Sequence, residues 1–142
     1  PGGILVTSFF AYDDTGYVNA DSLIPGRGYW VKANAPGTLQ LNVPSNVPGG
    51  TPKPSVRDYL PELSFIRIED GSGRAQTLHF GARREGSPSP DLFELPPVPP
   101  DAGFDSRFGS GSMVEFHRPS RGPEEAFPVR ILSALYPVTI RW

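Results

Sequence analysis

Few residues in this chain of 142 could perform acid–base or metal chemistry. There are two histidines, His79 and His117, and no cysteine. The lack of cysteine excludes disulfides, thiol nucleophiles and thiolate metal sites. A metal site built on the two histidines would need them paired across a sheet with a carboxylate beside them. Each histidine instead falls at the alternate, solvent-facing position of a predicted strand, so we expect exposed strand residues and no metal site.

Serine and carboxylate patterns give no catalytic signature either. Residues 109–112 place a serine between glycines, but they lack the strand-to-helix context of a nucleophile elbow. Glycosidases need two carboxylates facing each other across a cleft, with one buried enough to keep its proton. The paired acids of this chain are neighbours on turns and strands, so they are predicted to be solvated: residues 13–14, 69–70 and 124–125. Residues 70–73 could offer oxygens to calcium, but they lack the alternating acidic ligands of an EF-hand loop. The sequence therefore predicts a non-enzyme with no catalytic, cofactor-binding or metal-binding residue.

Three aromatic residues near the N-terminus are the candidates for a contact surface. Tyr17, Tyr29 and Trp30 could form an exposed platform that stacks on sugar rings or on a protein partner. They could also close the core of a small module or its contact with the rest of the chain. The tight turn at Pro25 and Gly26, directly before the aromatic run, favours this packing interpretation. The platform remains open as the alternative.

Alternating apolar runs separated by glycine and proline predict an all-β protein. Hydrophobic residues make up 37% of the chain, which is enough for a core, and 18 prolines leave few windows for a long helix. Residues 1–43 are predicted to form a small antiparallel sheet module, residues 44–59 a Pro/Gly-rich linker, and residues 60–142 an immunoglobulin-like β-sandwich. The small module has little core of its own, so we expect it to need a neighbour for stability.

Two further predictions concern the pairing of strands and the orientation of their side chains. The aromatic run 28–32 is expected to pair with the alternating run 38–43 as a β-hairpin. At the other end, Val138, Ile140 and Trp142 are expected inside, with the residues between them outside. Because this strand stops without a turn or polar tail, we expect the chain to continue in a longer parent or to take up a strand from elsewhere.

Charge and hydropathy argue against two classes of partner. The formal net charge of −2, without a basic stripe, argues against a dedicated nucleic-acid binder. No apolar run reaches the roughly 18 residues that a membrane span requires, so no span is predicted.

The chain begins with proline and shows no signal-peptide pattern, so we expect a processed product or an excised piece of a longer protein.

Two groups of motifs resemble a family of exported bacterial proteins. The segment 20–32, ADSLIPGRGYWVK, resembles a module that recurs in large secreted proteins with a C-terminal type IX secretion sorting domain. The second group resembles the β-rich region that commonly precedes that sorting domain. It comprises residues 76–81 (QTLHFG), 93–100 (FELPPVPP), 104–108 (FDSRF) and 136–142 (YPVTIRW). The resemblance implies an exported or cell-surface β-protein, and it brings no known catalytic residue to this chain.

The expected function is therefore structural. We expect a non-enzymatic, extracellular structural or adhesion module of a secreted bacterial surface protein, assembling into a filament or surface layer by strand complementation. Two alternatives stay open: a carbohydrate-binding module, and an accessory domain of a larger exported hydrolase. The expected partners are proteins, either further copies or other domains of the parent chain, with glycans as partners in the first alternative.

Overall fold

The computed structural model describes residues 4–13, 16–41, 59–99, 103–117 and 125–142. Within them, the regular elements are eight β-strands and two short 3₁₀ helices, Leu60–Glu62 and Pro90–Phe93. The strands, numbered in chain order, are β1 Phe9–Asp13, β2 Gly16–Ala20, β3 Ser64–Glu69, β4 Ala75–Ala82, β5 Asp105–Phe108, β6 Val114–His117, β7 Val129–Leu132 and β8 Thr139–Arg141. The prediction of an all-β protein is confirmed.

β1 and β2 form a two-stranded antiparallel sheet at the N-terminal end. The aromatic run after β2 returns along the same segment. The backbones of Phe10 and Trp30 exchange two hydrogen bonds of 2.8 Å, and Asn34 N–H donates to the Ile4 carbonyl at 2.9 Å. β1 is therefore flanked by β2 and by the aromatic run.

The predicted hairpin between runs 28–32 and 38–43 is wrong over the described residues. The aromatic run pairs with residues 4–10, and residues 38–41 form no strand. The turn itself is confirmed: Arg27 N–H donates to the Ile24 carbonyl at 3.2 Å, and Gly26 has φ +84°. Glycine adopts this left-handed conformation without the steric cost of a Cβ atom. The turn therefore directs the aromatic run back along β1, so it does not pair with the segment that follows.

The largest sheet has the strand order β6-β4-β3-β8. β3 and β4 form an antiparallel hairpin in which Ile66 lies opposite Leu78. β8 runs antiparallel to β3, whereas β6 runs parallel to β4. A parallel pair needs a long connection, and the chain between β4 and β6 supplies it, with a 3₁₀ helix and β5 on the way.

The core contains residues from both ends of the chain. β5 and β7 form a third, two-stranded sheet, and β5 is buried along its whole length. The buried apolar cluster consists of Phe10, Tyr17, Ile68, Leu78, Phe93, Leu95, Phe104, Phe108, Met113, Val114 and Phe116. Phe10 and Tyr17 of the first predicted module thus pack with side chains of the region 60–142. The predicted linker 44–59 lies outside the described residues except for Tyr59, and the domain boundaries stay a prediction.

The predicted inward orientation of the last strand is confirmed for Val138, which is partly buried against the core, and is wrong for Ile140 and Trp142. Ile140 is 48% exposed and Trp142 is 90% exposed. Ile140 lies opposite Ile68, on the same face, and Ile68 is fully buried. β8 is an edge strand, so the core covers this face at β3 and does not extend over the outer part of β8.

Candidate functional site

The predicted acidic pair at residues 69–70 contains a buried carboxylate. The expectation that Asp70 is solvated is wrong, because its side chain is buried. It accepts hydrogen bonds of 2.6–3.1 Å from Ser72, from Arg74 and from the backbone N–H of Leu135. Burial alone would raise the pKa of the Asp70 carboxyl, but these hydrogen bonds outweigh it and hold the pKa well below its ordinary range. Asp70 therefore fastens the β3–β4 turn to the segment that leads into β8.

The low pKa of Asp70 makes the stability of the folded chain depend on pH. The pKa of Asp70 is lower in the folded chain than in the unfolded chain, so the unfolded chain binds the proton more readily. The hydrogen bonds of the Asp70 carboxylate therefore contribute their full stabilisation only above about pH 4, the ordinary pKa of an aspartate. We expect the free energy of unfolding to fall as the pH drops below that value. The Asp70→Asn variant should be less stable at neutral pH and should show a shallower fall in acid.

Urea unfolding followed from about pH 7 to about pH 2 measures this effect. Asp91→Asn, at an exposed acid, is the matched control and should follow the wild type. Equal acid slopes in Asp70→Asn and wild type would contradict the assignment.

A cleft of about 450 Å³ opens beside Trp30. Its walls come from the N-terminal segment, the aromatic run, the Pro-rich segment and the β5–β6 region: Thr7, Phe10, Trp30, Val31, Lys32, Glu94, Leu95, Pro96, Pro97, Arg107 and Gly111. The Trp30 side chain is 50% exposed, and its backbone is held by the paired hydrogen bonds with Phe10. A concave, mainly apolar surface with a few polar groups is the usual form of a binding site.

An ion pair bridges two walls of this cleft. Lys32 Nζ lies 2.5 Å from Glu94 Oε2, and both side chains are partly exposed. Exposed pairs contribute only about 0–1 kcal/mol to stability. The pair nevertheless ties the aromatic run to the Pro-rich segment at the border of the cleft.

The three predicted aromatic residues do not share one exposed surface. Tyr17 is buried in the core, and its hydroxyl donates to the Pro97 carbonyl at 2.8 Å. Tyr29 is half-buried, and its hydroxyl accepts from the backbone N–H of Ile24 at 2.8 Å. Tyr17 and Tyr29 thus hold local structure, and Trp30 is the member of the three that is exposed, beside the cleft of about 450 Å³.

Neither histidine is placed as the sequence predicts. His117 is half-buried, with Nδ1 3.2 Å from Glu125 Oε2. His79 is half-buried as well, and burial lowers the pKa of its imidazole. Its Nδ1 is buried with no hydrogen-bond partner among the described residues. In that part of the chain, no group of three His, Asp or Glu side chains could hold a metal ion.

A second cleft, of about 270 Å³, lies between β2 and the β3–β4 hairpin. We call it the β2–β4 cleft, and its lining residues are Tyr17, Val18, Asn19, Leu60, Arg67, Ala75, Gln76, Thr77, His79 and Met113. Sequence reasoning missed it because glutamine and threonine are ordinary residues of a half-exposed strand. The one sequence signal is the position of His79 in that strand, which the alternation predicts to be solvent-facing.

Exposed apolar side chains gather around β8. They are Leu135, Tyr136, Ile140 and Trp142. Within the described part of the chain, β8 pairs with β3 alone, so its outer backbone edge is open. We call this strand and these side chains the β8 edge. Exposed apolar groups that cluster in this way mark interaction surfaces more often than isolated ones do.

The comparisons with known proteins give no match. No family model, no curated protein and no solved structure matches this chain. Among the described residues, no helix is both long and apolar enough to cross a membrane. The clefts and the β8 edge are therefore the candidate functional features of the described residues.

Proposed function

We propose that this chain is a non-enzymatic, extracellular structural or adhesion module of an exported bacterial surface protein, and that copies associate through the β8 edge. The localisation and the secretion route in this proposal come from the motif resemblance to proteins that carry a type IX sorting domain. The observation that supports association is the exposure of Ile140 and Trp142 on a strand that has one neighbour among the described residues.

Antiparallel pairing of two β8 strands is chemically favourable. A pair centred on Ile140 would place this residue opposite its own copy, Val138 opposite Trp142, and Thr139 opposite Arg141. Apolar cross-strand pairs stabilise a sheet by about 0.2–1 kcal/mol each, and no like charges would lie directly opposite each other. The open N–H and C=O groups of the edge would gain partners at the same time.

The fold in this proposal is a β-sandwich related to the immunoglobulin-like sandwich that the sequence predicts. Its support is that Ile68 and Leu78 of the four-stranded sheet share a core with Phe108 of β5 and with the partly buried Val129 of β7. The sheets are small, and the parallel β4–β6 pair departs from the antiparallel order of immunoglobulin domains. A sandwich of related but different topology is therefore the form we propose.

Lysine at position 140 should abolish the self-association. Ile140→Lys would set two ammonium groups directly opposite each other in the paired strands, which is unfavourable. We expect the weight-average mass of the wild-type chain to rise with concentration in sedimentation equilibrium, and the variant to stay monomeric throughout.

Leu41→Lys is the matched control, since Leu41 is an exposed apolar residue outside the β8 edge. This control should associate like the wild type. A wild-type chain that remains a monomer at high concentration would refute the proposed assembly. Equal association of wild type and Ile140→Lys would show that another surface is responsible.

A carbohydrate-binding module is the second candidate, and the half-exposed Trp30 beside its cleft favours it. Indole rings of this kind stack on the apolar faces of sugars. If this function is correct, adding a saccharide should shift the NMR resonance of the Trp30 indole N–H. The Trp30→Ala variant should no longer bind the saccharide. An accessory domain of an exported hydrolase would use the same surface, with the catalytic residues elsewhere in the parent protein.

A further inference from the structure

Two arginines lie directly opposite each other on the large sheet. Arg67 of β3 and Arg141 of β8 are register partners, so their side chains point to the same face of the sheet. Ile68, the next residue of β3, is fully buried and points to the other face, towards the core. The Arg67 side chain is 43% exposed and the Arg141 side chain is 63% exposed. Both guanidinium groups are therefore accessible on the face away from Ile68, which we call the arginine face.

One carboxylate serves both arginines. Glu69 Oε2 lies 3.6 Å from Arg67 Nε and 3.3 Å from Arg141 Nη1. Among the described residues, no other acid forms an ion pair with either side chain. The three groups together carry one net positive charge, and like charges directly opposite each other are unfavourable in a sheet. A second anionic group would compensate this charge.

The two guanidinium groups retain donors for such an anion. The shortest contacts with Glu69 use Nε of Arg67 and Nη1 of Arg141, so other N–H groups of both side chains can donate to a further acceptor. A planar guanidinium matches a carboxylate through two parallel hydrogen bonds. One net positive charge also matches the single charge of a carboxylate better than the nearly double charge of a phosphate monoester. The arginine face thus suits a ligand that carries a carboxylate.

Phe65 adds an apolar surface to the same face. It stands two residues before Arg67, is 49% exposed, and has its ring 6.4 Å from the His79 ring, between centroids. Two residues of a strand span about 7 Å, which is close to the length of one sugar ring with its carboxylate. Thr77, the register partner of Arg67 on β4, adds a hydroxyl. Within the reach of one monosaccharide, the arginine face offers a ring, a hydroxyl and two guanidinium groups.

We propose that the arginine face binds an acidic saccharide, with the carboxylate of a uronic acid accepting from Arg67 and Arg141 and the sugar ring lying on Phe65. The ring of a uronic acid has an apolar face for the phenyl group and hydroxyls for Thr77. A single copy of the chain carries this site, so it does not depend on pairing through the β8 edge. It is also separate from the Trp30 cleft.

A titration of the intact ¹⁵N-labelled chain with D-glucuronate and D-galacturonate measures this binding, with D-glucose as the neutral sugar and acetate as the carboxylate without a ring. It is made at constant ionic strength, in a buffer without phosphate, and at a protein concentration at which the chain is monomeric. At least one uronate should cause saturable shifts of the Phe65, Arg67 and Arg141 amide resonances. D-glucose and acetate should bind at least about tenfold more weakly.

Three variants locate the site. Arg67→Gln and Arg141→Gln keep a polar side chain and remove the charge, so each should weaken uronate binding about tenfold. Phe65→Leu removes the ring and should weaken it as well. Arg130→Gln is the matched control, because it makes the same substitution at an exposed position of β7 and should bind like the wild type.

Three results would overturn the proposal. They are the absence of saturable shifts with both uronates, unchanged affinity in Arg67→Gln and Arg141→Gln, and binding of acetate or D-glucose as tight as that of the uronates. A uronate that moves the Trp30 indole resonance, leaves Arg67 and Arg141 unmoved and no longer binds to Trp30→Ala would also overturn it, and would support the carbohydrate function of the Trp30 cleft. The oligomeric state is measured separately by sedimentation, so failure of the assembly proposal leaves this result intact.

Discussion

Replacing Arg107 by methionine is expected to lower the free energy of unfolding by about 3–5 kcal/mol. The Asp105 carboxylate is fully buried, and Arg107 is 6% exposed. Two hydrogen bonds of 2.6 and 2.9 Å join the guanidinium to this carboxylate, and a third of 2.8 Å reaches the Pro96 carbonyl. Arg107→Met leaves the carboxylate in the interior without a counter-charge.

A double variant separates two quantities: the cost of leaving the Asp105 charge buried without a partner, and the net contribution of the ion pair to stability. Asp105→Leu combined with Arg107→Met removes both charges and keeps an apolar filling, so it should be more stable than Arg107→Met alone. Urea unfolding of the two variants and the wild type gives the comparison. A loss below about 1 kcal/mol for Arg107→Met would mean that the pair is solvated and weak, as exposed pairs are.

Truncating Phe10 to alanine should destabilise the whole protein by about 3–5 kcal/mol. Phe10 is 1% exposed, packs edge-on against Tyr17 with ring centroids 6.5 Å apart, and belongs to the core that includes Phe93. The N-terminal segment thus fills a part of the core that residues 60–142 would otherwise leave open. We expect one cooperative transition, shifted to lower urea, in NMR signals from both parts of the chain.

The signals of Ile68 and Leu78 report on the large sheet in this experiment. Leu41→Ala is the control, because this residue is 64% exposed and its truncation should change stability by less than about 0.5 kcal/mol. If Phe10→Ala moves the N-terminal signals and leaves the midpoint of Ile68 and Leu78 unchanged, the two parts fold independently.

Local sequence patterns are informative where a structure depends on neighbouring residues, as in the β3–β4 hairpin and the turn before the aromatic run, although the hairpin predicted between 28–32 and 38–43 is wrong. Residues 63–68 and 75–80 show alternating apolar side chains with glycines between the two runs, and these runs form the β3–β4 hairpin. Pro25 and Gly26 specified a tight turn in the same way. In both places the physical cause is the conformational preference of the residues themselves, which is present in any context.

Long-range contacts were not predictable in this way. Asp70 looks like a turn acid, and its burial depends on the Leu135 backbone, which lies 65 residues further along the chain. The sequence does contain one signal of this kind: Asp105 and Arg107 stand two positions apart between Phe104 and Phe108, so both charged side chains point to the same face of a strand. That spacing is typical of a buried pair, and it could have identified this site.

By itself, the sequence determined that the chain is built of strands and where several of them begin and end. It also determined which side chains of a strand share a face. These properties follow from backbone preference and from period-two alternation. Only the tertiary structure decided which of those faces are covered. Ile68 and Ile140 share one face of the sheet, yet the first is buried and the second is open, because burial depends on what other segments pack against a strand. The same reason explains why Gln76, an ordinary strand residue in the sequence, is buried with its Oε1 accepting from the backbone N–H of Ser106.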